Sequence, residues 1–203
     1  AQAEQGVIVA VGGDGTINTV AHAALGAGVP FGVIPVGTFN YFGRTHGLSE
    51  DIFQAAWDVV EGQIKLVQVG QVNERIFLVN ASLGLYPQLL EDREQAKQQF
   101  GRHRLVAFLS AFQTLLRQHR VLRLWLQRND GPEQEQAPLA TPTLFVGNNA
   151  LQLQQIGVEE AECVHHGQLA AVALHAVTPL SLLGLALRGS VGRLGDAERV
   201  ISF

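Results

Sequence analysis

The sequence predicts an α/β layer with a parallel sheet in its N-terminal part, followed by a mainly β region. Two runs, Gly6–Val11 and Phe31–Pro35, are apolar without alternation, which is typical of strands buried on both faces of a parallel sheet. Each run is followed by residues with helical spacing, and a strand–helix–strand–helix order favours a parallel sheet. From residue 64 onward the chain changes to shorter strand-like segments separated by turn residues.

The first two helices are predicted from their spacing and from the residues that end them. Ile17–Leu25 has helical spacing and is followed by Gly26 and Gly28, and glycine is common where a helix stops. Asp51–Val60 is predicted as a second helix. The change of pattern near residues 62–66 predicts two domains, 1–63 and 64–203.

The later segments predict a mostly antiparallel arrangement with one or two helices. A turn at Asn73–Glu74 predicts that the flanking segments pair as antiparallel strands. A helix is predicted over 105–116, where apolar residues recur at steps of three and four. The predicted strands are Ile64–Val72, Arg75–Leu83, Val121–Gln127, Thr143–Val146, Leu169–Val177 and Val200–Phe203, with a loop at Asn129–Pro138 and a short helix at Leu180–Leu187.

Composition excludes several classes of protein. Of the 203 residues, 47% are hydrophobic and 16% charged, so a sizeable core is expected and disorder is not. The net charge of −4 provides no bulk attraction to nucleic acid. A single cysteine, Cys163, the lack of a long apolar run and the lack of a visible signal peptide predict a soluble, cytoplasmic protein.

A glycine-rich segment, Gly12–Thr16, joins the first strand to the first helix. Glycines let an anion approach the main chain, and the free amides at a helix start favour phosphate. Thr16 and Asn18 add short polar side chains, while the carboxylate of Asp14 suits a position beside Mg²⁺, a ribose or a nucleophile. The alternative is a tight turn in which Asp14, Thr16 or Asn18 caps the helix.

Four segments resemble motifs of the diacylglycerol kinase family, which includes the sphingosine kinases and their bacterial lipid-kinase relatives. Gly12–Asn18 resembles the nucleotide loop of this family, and Pro35–Arg44 resembles its second motif. Phe77–Pro87 and Phe145–Asn149 resemble a third and a fourth. The four occur in the order of the family and are spread over residues 12–149 of the chain.

This resemblance implies an α/β nucleotide domain followed by a β-sandwich-like domain, with ATP and Mg²⁺ as cofactors. The implied activity is phosphorylation of the hydroxyl of diacylglycerol or a related lipid, by an enzyme that acts peripherally at the inner membrane. A homodimer is left open. The residues implied to bind the nucleotide are Gly12, Gly13, Asp14, Gly15, Thr16, Ile17, Asn18 and Thr38, with Asp14 as the candidate catalytic residue.

The chain departs from the family pattern at several places. The acidic motif that supplies the general base in this family is expected beyond Phe203. These 203 residues alone are therefore expected to show no kinase turnover of ATP. Phe39 and Tyr41 stand where the family commonly has glycine and aspartate, and they either reshape the lipid entrance or pack locally. His166 replaces an aspartate associated with a structural Mg²⁺, and we expect it and His165 to lie on opposite faces of a strand.

Three questions stay open at the level of sequence. Arginines between residues 102 and 123 form either a contact with an anionic membrane or a solvated helix face. An enzyme related to the NAD kinases shares the aspartate-bearing glycine loop and is one alternative function. A nucleotide- or lipid-binding module without catalysis is another. The arginines in question are Arg102, Arg104, Arg117, Arg120 and Arg123.

Overall fold

A computed structural model describes residues 6–85, 87, 121–126, 138–175 and 200–202. The N-terminal elements alternate between strands and helices, and short strands dominate the later part. In chain order the elements are β1 (Ile8–Gly12), α1 (Asp14–Ala27), β2 (Phe31–Pro35), α2 (Tyr41–Thr45), α3 (Ile52–Glu61), β3 (Gly70–Val72), β4 (Arg75–Phe77), β5 (Asn80–Gly84), β6 (Leu122–Leu124), β7 (Leu139–Thr141), β8 (Thr143–Gly147), α4 (Ala150–Gln155), a 3-10 helix (Glu159–His166), β9 (Ala170–Leu174) and β10 (Val200–Ser202).

The predicted fold class, α/β followed by mainly β, is confirmed. Strands β1 and β2 are parallel, with Ile8 opposite Phe31, as their continuous apolar runs predict. The later strands form a four-stranded sheet in the order β10–β9–β8–β5 and two antiparallel pairs, β3–β4 and β6–β7. The antiparallel pairing of β9 with β10 confirms a strand at the last residues.

The chain divides into two compact units, each assembled from more than one stretch of sequence. The first comprises Ala1–Ala81, Gly147–Leu153 and Ala161–Leu169, and the second comprises the remaining residues. The first unit contains the parallel pair and the helices that flank it. The predicted boundary between domains 1–63 and 64–203 stays a prediction.

The core of the first unit lies under α1. Ile17, Ala21 and Ala24 are four and three residues apart, so they share one face of α1, and all three are buried. The helix ends at Gly28, whose φ of 65° is the left-handed conformation that glycine tolerates best. The buried cluster consists of Ala10, Ile17, Ala21, Val33, Phe42, Ile76, Leu78 and Val79.

Two predicted strands are shorter than their sequence patterns indicate. Only Gly70–Val72 of the predicted strand Ile64–Val72 forms a ladder, and Ile64 and Leu66 lie exposed. The predicted strand Arg75–Leu83 is interrupted after Phe77 and resumes at Asn80 as β5. The interruption at Leu78 arises because its N–H and its C=O are bonded to side chains instead of to a strand.

The structure corrects the prediction for the two histidines. His165 and His166 end a 3-10 helix and do not lie on a strand, so the expectation that they occupy opposite faces of a strand was wrong. Strand β9 begins only at Ala170. The alternation of Val121–Gln127 is confirmed in part by β6, where Leu122 and Leu124 are half-buried and Arg123 is exposed.

Several predictions lie outside the described residues. These are the helix over 105–116, the main part of the loop at 129–138 and the helix Leu180–Leu187. The same holds for the membrane-contact prediction, apart from Arg123. Helices α2 and α4 were not predicted, because five or six residues are too few to show a helical period.

Candidate functional site

The two motif-bearing loops leave the parallel sheet at the same edge. Gly12 at the end of β1 lies opposite Pro35 at the end of β2. One further hydrogen bond continues the ladder, from the N–H of Val36 to the carbonyl of Gly12 at 3.1 Å. The carboxyl ends of parallel strands are where α/β sheets bind their ligands. Both glycine loops therefore begin at the edge where a ligand site is expected.

Gly13 and Gly37 bring the two loops into direct backbone contact. A Cβ on Gly13 would lie 3.1 Å from the Cα of Gly37. A Cβ on Gly37 would overlap the Cα of Gly13 and lie 2.8 Å from Oδ1 of Asn40. Close packing of the loops thus accounts for glycine at these two positions before any ligand is considered.

The first turn of α1 is open to a ligand. Its N-cap, Gly13, is extended and forms no side-chain cap, while its carbonyl accepts the N–H of Ile17 at 3.0 Å. Gly15 and Thr16 are exposed, and a Cβ on Gly15 would meet nothing within 4 Å. The N-terminal amides of this 14-residue helix therefore form a positive, uncapped end. Ile17 itself is fully buried and serves the core.

The carboxylate of Asp14 binds the beginning of α2. Its Oδ2 accepts the N–H of Tyr41 at 3.2 Å, and its Oδ1 accepts the N–H of Phe42 at 3.0 Å. Both oxygens thus hold backbone amides of the second motif, as a capping residue would hold those of its own helix. This geometry makes Asp14 a positioning residue, and its candidate catalytic role stays a prediction.

Asn18 is also occupied by the protein backbone. Its Nδ2 donates to the carbonyl of Ile76 at 3.1 Å, and its Oδ1 accepts the N–H of Leu78 at 2.9 Å. The side chain thereby ties α1 to the segment that follows β4. Its predicted contribution to nucleotide binding stays a prediction, and the structure shows that the amide already has two backbone partners.

The second motif forms a tight, partly exposed loop. Asn40 has a φ of 49°, and its Oδ1 accepts the N–H of Gly37 at 2.8 Å. Thr38 is exposed inside this loop, close in sequence to the contact with Gly13. The phenyl ring of Phe39 is 62% exposed and stacks on Tyr41 with centroids 5.5 Å apart and planes 5° apart.

Of two adjacent asparagines outside the predicted site, one binds the helix that follows its second loop and the other does not. Asn149 donates from Nδ2 to the carbonyl of Tyr41 at 3.2 Å and to Oγ1 of Thr45 at 2.9 Å. Asn148 instead donates to the carbonyls of Gln68 and Leu78. Both asparagines belong to Phe145–Asn149, the segment that resembles the fourth family motif. Nothing in the sequence reveals that Asn149 binds α2.

Burial changes the acid–base behaviour of two rings beside this loop. The pKa of the Tyr41 phenol is raised above its ordinary 10.0 by burial, with Arg44 opposing the rise and Asp14 adding to it. The pKa of His46 is lowered below its ordinary 6.5 by burial and then by the charge of Lys65. The His46 ring packs on Phe42, with centroids 4.5 Å apart.

Over the ranges that the structure describes, no three acidic, histidine or cysteine side chains are grouped so as to hold a metal ion. His166, at the end of the 3-10 helix, is in no such group. A protein cage for Mg²⁺ is therefore not found among these residues. A Mg²⁺ ion held mainly by nucleotide phosphates and one carboxylate requires no such cage.

Comparisons with known proteins agree with this geometry. Residues 1–72 match the model of the diacylglycerol kinase catalytic domain. The resemblance to the diacylglycerol kinases is confirmed. A diacylglycerol kinase of Bacillus subtilis is 44% identical over 89 residues, covering 42% of this chain and 29% of the relative. One from Staphylococcus saprophyticus is 39% identical over 87 residues, covering 41% of this chain and 28% of that protein.

The likeness in fold extends beyond the sequence match to diacylglycerol kinases. A crystal structure of a diacylglycerol kinase from Bacillus anthracis superposes with a TM-score of 0.54 at 20% identity, covering 97% of this chain and 63% of that one. The chain thus spans less than two thirds of these relatives. Among the helices that the structure describes, none has the length and apolar character that a bilayer crossing requires.

Proposed function

We propose that this chain binds ATP at the edge shared by β1 and β2 and serves a lipid kinase that phosphorylates the hydroxyl of diacylglycerol or a related lipid. One structural observation carries the proposal. The first turn of α1 is uncapped and lies in the segment that matches the diacylglycerol kinase catalytic domain. An uncapped helix start attracts phosphate through free amides and the helix dipole.

The proposed phosphate contacts come from the backbone. The amides of Asp14, Gly15 and Thr16 are in the first turn of α1, and the hydroxyl of Thr16 is exposed beside them. Thr38 adds a second exposed hydroxyl from the loop that touches Gly13. Backbone donors suit this task because they are fixed before the ligand arrives.

Mg²⁺ fits this site only together with the nucleotide. Asp14 is the acidic side chain of the glycine loop, and each of its oxygens retains a lone pair beyond the N–H it accepts. Mg²⁺ commonly binds through one or two carboxylates plus substrate phosphates. When bound, the ion would neutralise charge on the phosphates during transfer.

In the proposed reaction the lipid hydroxyl oxygen attacks the γ-phosphorus of ATP. A new phosphorus–oxygen bond forms, the bond to the bridging β,γ-oxygen breaks, ADP leaves, and a base takes the hydroxyl proton. The contribution of this chain is positioning, because its loops hold the phosphates while Asp14 holds the loops together. The lipid would be reached from a membrane surface by a peripheral protein.

Gly15 provides the sharpest test of ATP binding. Folding does not require glycine there, because the position is helical and a Cβ would have open space. We expect Gly15→Ala to raise the free energy of unfolding by about 0.5–1 kcal/mol, since alanine favours helix. A triphosphate on the same turn would meet the new methyl group, so the Kd for ATP should rise about tenfold or more. Calorimetric titration and urea unfolding measure the two effects.

Gly26→Ala is the matched control. Gly26 is also inside α1 with open space around it, but it lies at the opposite end of the helix. It should stabilise the fold by a similar amount and leave the Kd unchanged. Equal ATP affinity in the two variants would contradict binding at the first turn.

The lipid acceptor requires a separate experiment. Transfer of labelled phosphate by the full gene product should favour diacylglycerol over sphingoid bases, phosphatidylglycerol and NAD.

A further inference from the structure

Helix α2 is too short to be stable by itself. It has five residues, Tyr41–Thr45, and isolated helices of this length do not persist in water. Phe42 anchors one side in the core at 5% exposure. The helix nevertheless carries the loop with Thr38 at its N-terminal end. Its placement must therefore come from contacts with other elements.

The N-terminal end of α2 is held from outside the helix. Its own N-cap, Asn40, forms no cap because Oδ1 of that residue accepts the N–H of Gly37. Asp14 supplies the missing acceptors for Tyr41 and Phe42. The first residue of α1 thus substitutes for a local cap and ties the two glycine loops together.

Asn149 binds both the first and the last residue of α2. Its Nδ2 donates to the carbonyl of Tyr41 and to Oγ1 of Thr45, and its Oδ1 accepts the N–H of Gln152 in α4 at 3.0 Å. Asn149 is 2% exposed, so its own amide is shielded from water, although its partner Thr45 is exposed. Such buried, fully paired groups set geometry strictly, because losing one partner leaves another unsatisfied.

We propose that Asn149 is a positioning residue for the nucleotide site, acting through α2. Asp14 accepts the first amides of α2 and Asn149 binds its first and last residues, so the position of α2 is fixed. The loop from Gly37 to Asn40 is thereby fixed against Gly13. Loss of Asn149 would let α2 shift and would displace Thr38. This inference rests on the proposed ATP site and adds to it a residue that touches no ligand.

The adjacent asparagines form a matched pair for the test. Asn148 is also buried and also donates to two groups, but its partners are the carbonyls of Gln68 and Leu78, away from α2. Asn149→Ala should raise the Kd for ATP roughly 5- to 20-fold at 25 °C. Asn148→Ala should leave the Kd within about twofold, although both variants lose thermal stability.

Hydrogen exchange separates positioning from general destabilisation. In Asn149→Ala the amides of Tyr41 and Phe42 should exchange faster, because α2 opens locally. In Asn148→Ala their exchange should stay close to that of the unmodified chain. Similar Kd increases in both variants, or an unchanged Kd in Asn149→Ala, would overturn the proposal.

If Asn149→Ala does not fold, variants of Thr45 test the positioning role of Asn149 instead. Thr45→Val removes the hydroxyl that Asn149 contacts and preserves the side-chain shape. It should raise the Kd about two- to fivefold, and Thr45→Ser should restore it. An unchanged Kd in Thr45→Val would overturn the inference. Absence of ATP binding by the unmodified chain would instead refute the proposed function, so the two failures are distinguishable.

Discussion

At the residue scale, the polar members of the glycine motif bind backbone groups of other segments. Asp14 holds α2, and Asn18 holds the chain at Ile76 and Leu78. Gly15, which has open space around it, and Thr16, which is exposed, remain for a ligand. The sequence predicted the loop and its position after a strand. It could not reveal the partners of Asn18, because these lie 58 and 60 residues away along the chain.

Asp14 should contribute to both folding and nucleotide affinity. Asp14→Ala leaves two amides of α2 without acceptors, which should lower the free energy of unfolding by about 1–3 kcal/mol. It also releases α2, so the Kd for ATP should rise. Urea unfolding and calorimetric titration measure both quantities.

Asp51→Ala is the control for this change. Asp51 caps α3 through the N–H of Gln54 at 2.8 Å, and its own N–H donates to Ser49, so both bonds lie outside the glycine loops. Its loss should lower the free energy of unfolding by about 1 kcal/mol without changing the Kd. A Kd that rises equally in both variants would refute the positioning role of Asp14.

At the element scale, the strands with the plainest patterns were predicted best. β1 and β2 follow from their apolar runs, and α1 follows from its helical spacing and the glycines at its end. The interruption between β4 and β5 could not be predicted, because side chains of Asn18 and Asn148 take the backbone groups of Leu78. Helix α2 escaped prediction because distant residues, Asp14 and Asn149, stabilise it.

His46, the residue that follows α2, should make the free energy of unfolding depend on pH. Because burial lowers the pKa of His46 below 6.5, the fold favours the neutral ring. The stability that the neutral His46 ring contributes is fully present above pH 6.5 and is lost as the pH falls through the lowered pKa. The advantage of the unmodified chain over His46→Gln should therefore shrink between pH 8 and pH 5. Urea unfolding at several pH values checks this, and a difference constant with pH would contradict it.

At the scale of the whole molecule, β1 and β2 form a parallel pair, and antiparallel pairs follow later in the chain. Composition predicted a globular chain, but it could not predict compact units built from separate stretches of sequence. Gly147–Leu153 belongs with the N-terminal unit, which is how Asn149 reaches α2. Such long-range assembly follows from packing and leaves no local pattern in the chain.

Amide spectra of the 15N-labelled chain during titration with ATP and Mg²⁺ test the central claim most directly. We expect saturable shifts of the Asp14, Gly15 and Thr16 amides, accompanied by shifts of the Tyr41 and Phe42 amides, which bind the Asp14 carboxylate. Gln54, capped by Asp51 on α3, should stay unchanged. First-turn amides that keep their positions while ATP binds elsewhere, or does not bind, would contradict the account.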